Sequence, residues 1–268
     1  SEDGVIFRGN ISYRLTDDNQ LYFNVAEGFR SGGTNDQTAA AIANVVIPEQ
    51  FDSDSLVSYE IGSKNSFMDG RLTLNVAGFF IDWSNIQLQD QATDGQLTFP
   101  FRGNGGGADI FGAEVEALIK PVDGLDIGLS VAYTSAELGE DNPIPTTGLD
   151  GDDLPYVPEW TVSLTGDYFW ALPQWGVSVN IGGDLSYIDS RNTELRPTNP
   201  LFLPLEDYAL LNIRAGVEWD SWRVNFIVNN VTDNNSVIDV FRIVPGATPD
   251  GFIQNRPRTF ILGLRKSF

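Results

Sequence analysis

The side chains of this chain that could do chemistry are arginines, carboxylates and aromatics, because its 268 residues include no histidine and no cysteine. Without histidine there is no Ser-His-Asp arrangement, and the commonest general base and zinc ligand are gone. Without cysteine there is neither thiolate chemistry nor a disulfide framework. An enzyme is therefore not expected, and no catalytic residue, cofactor or metal ligand is assigned. What remains are binding groups. Arg30, Phe101, Arg102, Arg191, Arg196 and Arg242 lie in polar stretches between strand-like segments, and binding residues concentrate on loops carried by a rigid scaffold. Arginine grips carboxylates and phosphates with paired donors, so these six are the candidate ligand contacts.

Two motifs suggest other chemistry. Gly103-Asn104-Gly105-Gly106-Gly107-Ala108 matches G-x-G-x-x-G/A, but a dinucleotide site needs a strand before the glycines and a helix after them. Phe111, Ala113, Val115, Ala117 and Ile119 instead recur with the period of two that marks a strand, so flexible loop glycine is expected here. Asp150-Gly151-Asp152-Asp153 resembles part of a calcium loop without the bidentate glutamate of an EF-hand. An acidic loop tip is expected, with calcium bridging between loops as the open alternative. The formal net charge of −21 repels nucleic acid, which binds proteins through cations that neutralise phosphates.

The elements that position these groups are strands. Leu21, Phe23 and Val25 form one apolar side, as do Val57, Tyr59 and Ile61, Leu72, Leu74, Val76 and Phe80, and Leu125, Ile127, Leu129 and Val131. Later segments repeat the pattern, with Trp160, Val162 and Leu164, Val177, Val179 and Ile181, Leu211 and Ile213, and Val224, Phe226 and Val228. Polar residues alternate with them (Arg14, Arg71, Asn75, Glu114, Glu116, Asp184 and Arg214 among them), so each strand has two unlike faces. About eleven strands result. Their connections alternate between tight turns, such as Thr16-Asp17-Asp18-Asn19, Met68-Asp69-Gly70 and Asp220-Ser221, and long loops. That rhythm is the asymmetry of an outer-membrane barrel, with lipid against one face and a wet lumen against the other. Trp160, Tyr168, Tyr187, Trp219 and Trp222 are the expected interfacial girdle. No apolar run approaches the roughly 20 residues of a membrane-spanning helix. The fold expected is all-β, an antiparallel transmembrane barrel portion forming one domain over residues 1–268.

Parity sharpens this. With tight turns at the periplasmic end, the first and last strands both run downward, so they cannot pair to close an antiparallel barrel. The chain is therefore expected to be the C-terminal part of a larger barrel, with residue 1 at an internal boundary. Its last segment, Arg256 to Phe268, sets Phe260, Leu262, Leu264 and Phe268 on one side of an extended chain and ends on an aromatic.

Several stretches, in order, resemble those of TonB-dependent outer-membrane receptors. They are Leu21-Tyr22-Phe23-Asn24-Val25-Ala26-Glu27-Gly28-Phe29-Arg30-Ser31-Gly32-Gly33, Ser58-Tyr59-Glu60-Ile61-Gly62-Ser63-Lys64, and Phe111-Gly112-Ala113-Glu114-Val115-Glu116. Leu154-Pro155-Tyr156-Val157-Pro158, Asn229-Asn230-Val231-Thr232-Asp233 and Arg256-Pro257-Arg258 follow. The resemblance implies the second half of a 22-stranded barrel, without the family's plug domain. It implies a bacterial outer-membrane receptor for active uptake of a scarce ligand, first of all a ferric siderophore, energised by TonB through that plug. Cobalamin or an oligosaccharide is the alternative ligand, and a secreted acidic β-rich carbohydrate-binding domain is the alternative class. The partners implied are outer-membrane lipid, the small-molecule ligand, TonB and the outer-membrane assembly machinery, for which Phe268 is the expected signal.

Overall fold

Eleven antiparallel strands form a single sheet in which every strand pairs with its sequence neighbour. The computed structural model describes residues 5–42, 44–93, 98–141, 148–197, 202–241 and 251–268. The strands are β1 (Arg8–Thr16), β2 (Asn19–Arg30), β3 (Asp54–Phe67), β4 (Leu72–Ser84), β5 (Ala108–Ile119) and β6 (Leu125–Leu138). They continue with β7 (Trp160–Leu172), β8 (Val177–Ile188), β9 (Tyr208–Trp219), β10 (Trp222–Asn229) and β11 (Thr259–Lys266). The main sheet has eleven strands, as the alternation predicts. No helix among the described residues is long and apolar enough to cross a membrane, a fact that leaves strands free to do so.

Register follows from pattern. Tyr13, Leu21, Ser63, Val76, Val115, Val131, Val162, Tyr187 and Ala209 stand side by side on nine successive strands. A one-residue slip of any strand would turn its apolar set to the other face, so this row fixes the pairing. Members of the same face stay solvent-accessible although apolar: Ile11, Phe23, Ile61, Phe80, Ile181 and Phe226 are all exposed. An uncovered apolar surface of that extent is a lipid face.

Aromatics border it at two levels. Tyr59, Phe80 and Phe111 are direct neighbours near the loop end, and Phe111, Tyr133 and Trp160 continue the belt, with the last two ring centroids 4.9 Å apart. Near the turn end lie Phe67, Tyr168, Trp170, Trp219 and Trp222, with Tyr168 and Trp170 stacked at 5.0 Å. The belts are about 8 to 10 residues apart along a strand, matching the span of a tilted membrane strand. The five expected girdle residues all fall on this outer face.

The opposite face is polar and tiled by side chains lying across glycines. Tyr22 lies over Gly62, where a Cβ would meet its hydroxyl at 2.5 Å, and the Phe79 ring lies over Gly112. Arg214 reaches across Gly182 to Asp167, two strands away, at 2.9 Å, and also holds Asp184 at 3.0 Å. Asn75 donates to Glu116 at 3.1 Å and Asn24 to Glu60 at 3.3 Å. Of the polar lining expected from sequence, Arg71 is the exception. It sits in the turn before β4, facing Asp123 across an exposed 3.7 Å pair.

The tight turns all lie at one end. Gly124 turns with φ 84° and accepts a hydrogen bond from the Phe169 N–H at 2.8 Å, leaving no room there for a side chain. Since β1 and β11 both run from the loop end to the turn end, and each has one neighbour only, the sheet presents two unpaired edges that cannot pair antiparallel with each other.

Candidate functional site

The buried residues gather at the loop end. Ile86, Ala108, Ala136, Leu138 and Leu154 form one cluster, with Trp83, Ile110, Val157 and Leu195 packed against it. Trp83, Ala108, Ile110, Ala136 and Leu138 belong to the polar-lined face, so the long connections fold inward over the top of that face. Their sequences read as loops, yet they carry structure: a hairpin of Gln87–Thr93 with Thr98–Asn104, another of Val237–Phe241 with Gly251–Gln254, and a short helix Gln37–Ile42. These small elements are invisible to a strand-length pattern because each is held by the neighbouring connection and not by its own periodicity.

At the base of this roof is Asp54, the first residue of β3, with only 1% of its side chain exposed. Arg30 at the end of β2 grips it through Nε and Nη2, the Trp83 Nε1–H donates at 3.1 Å, and the Gln87 N–H donates at 3.0 Å. Arg30 also lies 4.8 Å from the centre of the Trp83 ring. Asp54 stands about five residues beyond Tyr59 of the outer aromatic belt, well above the membrane. Burial favours its neutral form, but the hydrogen bonds from Arg30 and Gln87, the Arg30 charge and the Trp83 donor outweigh it and hold its carboxyl below the usual carboxylate range. The Gln87 side chain completes the joint by donating to Ser31 O and Asp52 O, each at 3.0 Å.

Above that joint, the connections 31–53 and 85–107 knit into one body. The Asn35 side chain accepts from the Arg102 N–H at 2.9 Å and donates to its carbonyl at 2.7 Å, and Asn104 exchanges two hydrogen bonds with the Asp52 backbone. Ala40, Ile47 and Phe101 form its small core. Between the two connections lies a wide-open depression of about 390 Å³, lined by Thr34, Asn35, Asp36, Phe51, Gln89, Phe101 and Arg102. That volume lies within the range of small-molecule pockets. The Arg102 guanidinium stands 6.0 Å from the Phe51 ring, and no carboxylate among the described residues forms an ion pair with it. The Arg102 cation beside the Phe51 ring suits an anionic or phenolic group, while Asp36 adds a carboxylate to the same lining and the Asn35 amide is taken up by the Arg102 backbone.

A second group of connections is bound together as well. Arg191 donates to Ile238 O at 2.8 Å and lies 5.9 Å from the Tyr208 ring, while Tyr156 Oη donates to Asp239 at 3.1 Å. Arg196 faces Asp152 at 3.4 Å.

The six expected ligand contacts therefore separate. Arg30, Arg191 and Arg196 hold the fold of the roof, and Phe101 is a core residue whose backbone places Arg102 on the cavity. Arg102 is exposed and available. Arg242 lies outside the described residues. Sequence reasoning passed over Asn35, Phe51 and Gln89, which no motif marks. Gly105 to Gly107 are packed and not loose: Gly105 N donates to Ile86 O at 2.7 Å, Gly107 N donates to Glu140 at 2.7 Å, and β5 follows where a nucleotide fold has a helix. In the acidic tip, Asp152 caps a turn by accepting from the Leu149 N–H at 2.7 Å. Burial, with Glu137 and Asp152 nearby, raises the Asp153 carboxyl above its usual range.

Comparison with known proteins agrees with this architecture. The family model described as "TonB dependent receptor-like, beta-barrel" matches residues 1–231. Among curated proteins, the pesticin receptor of Yersinia pestis is 26% identical over 60% of this chain and 22% of its own length. The probable TonB-dependent siderophore receptor PiuA of Acinetobacter baumannii is 24% identical over 87% of this chain and 30% of its own. The crystal structure of the ferric yersiniabactin uptake receptor FyuA from Yersinia pestis superposes with a TM-score of 0.78 at 20% identity, covering 100% of this chain and 38% of that one. The chain thus spans about a fifth to two-fifths of the length of these relatives, which are receptors and not enzymes.

Proposed function

Because the chain belongs to the TonB-dependent receptor-like β-barrel family, whose members are outer-membrane proteins, we propose that it forms wall and roof of an uptake receptor whose ligand is a ferric siderophore. The observation that carries this reading is the cavity between connections 31–53 and 85–107. It sets Arg102, which has no ion pair among the described residues, beside Phe51 above a polar-lined wall. A ferric siderophore presents oxygen-rich, partly anionic and in many cases aromatic groups, which this combination fits. The named relatives that are siderophore receptors support the same ligand class.

The two edges fit a larger wall. Strands β1 and β11 run in the same direction, so closure takes an odd number of further strands from the rest of the receptor, and Phe268, two residues past β11, serves as the assembly signal. Transport is driven by TonB acting through a plug inside the closed wall.

The test is binding of ferric yersiniabactin, as first probe, to the complete outer-membrane receptor and to its R102A variant. Arg102→Ala is expected to weaken binding at least about tenfold, the scale of one lost charge-assisted contact, with assembly unchanged. Equal affinity of the two proteins for this probe and for a catecholate chelate would remove the assignment. Uptake that persists in cells lacking TonB would remove the energisation.

A further inference from the structure

We propose that Lys266, held between Trp222 and Phe268 on the outer face, is a binding site for the phosphate of an anionic phospholipid at the turn end of the barrel. Within the described strands the lipid face divides its charges between its two ends. Its carboxylates, Glu27, Asp82, Asp109 and Glu137, all lie at the loop end, beyond the upper aromatic belt, and stand in one cross-strand line through Val57. Its cation within the described strands is Lys266, at the opposite end. Lys266 shares the side of Leu262 and Leu264, which pair with Phe226 and Val224 on the outer face, and it pairs directly with Trp222. It therefore projects toward lipid and not toward the lumen.

Its ammonium group is positioned, not free. Nζ lies 5.0 Å from the Trp222 ring and 5.2 Å from the Phe268 ring. Two aromatic faces hold a cation by attraction to the ring quadrupole while leaving its N–H donors unused. No carboxylate among the described residues forms an ion pair with it. Trp219 and Trp222 place this level at the membrane interface, where headgroup phosphates lie. An ammonium fixed at that depth and without an ion pair to any side-chain carboxylate among the described residues, in a chain with a formal charge of −21, is complementary to a lipid phosphate. Arg265 and Arg223, one position away, face the lumen side and do not share the site.

The inference rests on the outer-membrane placement of the barrel and is independent of what the roof binds. The test uses the complete receptor, wild type and K266Q, in nanodiscs of equal parts phosphatidylglycerol and phosphatidylethanolamine. Lipids retained after release into detergent are read by native mass spectrometry. Wild type is expected to retain phosphatidylglycerol over phosphatidylethanolamine by about fivefold more than K266Q, the scale of one interfacial lysine, with K266R keeping the preference. Equal retention by wild type and K266Q overturns the proposal. Displacement of the lipid by millimolar inorganic phosphate would also overturn it, since it would mark a soluble anion site. Heat-modifiable mobility of K266Q scores barrel assembly separately, so a misassembled variant is not mistaken for a lost lipid site.

Discussion

Replacing Asp54 should unlock the roof while leaving the wall standing. The carboxylate is buried and takes hydrogen bonds from Arg30, Trp83 and the Gln87 N–H. A hydrogen bond to a charged group contributes about 1.5–3 kcal/mol. The Arg30 side chain is 49% exposed, so water can replace its share, which falls to the ~1 kcal/mol or less of a surface pair. The Trp83 and Gln87 donors have no such substitute, so Asp54→Ala is expected to destabilise the joint by about 3 kcal/mol. Asp54→Asn, keeping one carbonyl oxygen, should cost about half of that. Hydrogen exchange of the Gln87 amide in the assembled receptor reads the opening directly, and a 3 kcal/mol loss raises its rate roughly 150-fold. Because the folded carboxyl titrates below its unfolded value, the stabilisation is complete above the ordinary carboxylate range. It is lost as pH falls through the depressed folded value. Gln87 protection should therefore collapse in acid for the wild type and show no such step in D54N. Exchange in D54A within threefold of wild type, in an assembled barrel, would refute this account of the hub.

The wall offers three further tests. Gly112→Ala places a methyl group against the Phe79 ring and the Tyr133 carbonyl, so folding into vesicles should fall by about 2 kcal/mol or more, read by urea titration. Arg214→Met leaves Asp167 and Asp184 facing each other without their cation. All three are partly exposed, so the loss should be about 1–2 kcal/mol in the same titration, and D167N should restore part of it. Deleting Phe268, which is fully exposed at the chain end, should lower the amount of heat-modifiable barrel in outer membranes without changing ligand affinity; unchanged assembly removes its signal role.

The sequence by itself determined the wall. Alternation in eleven segments, short turns against long connections, and the parity of the first and last strands were all legible, because a strand displays its environment every second residue. The glycines of the family-like stretches were legible as markers but not as causes; only pairing shows that Gly62 and Gly112 lie beneath Tyr22 and Phe79. The roof was not legible. Arg30, Arg102, Arg191 and Arg196 look alike in a linear chain, and what separates them is whether a carboxylate or carbonyl from another connection reaches them. Asp54 meets Gln87, and Asn35 meets Arg102, across dozens of residues with no repeating spacing to announce the contact. Lys266 likewise gains its meaning from Trp222 on the neighbouring strand. Local periodicity reports which medium a side chain faces, whereas the partner that neutralises or frees a charge is chosen by the tertiary structure.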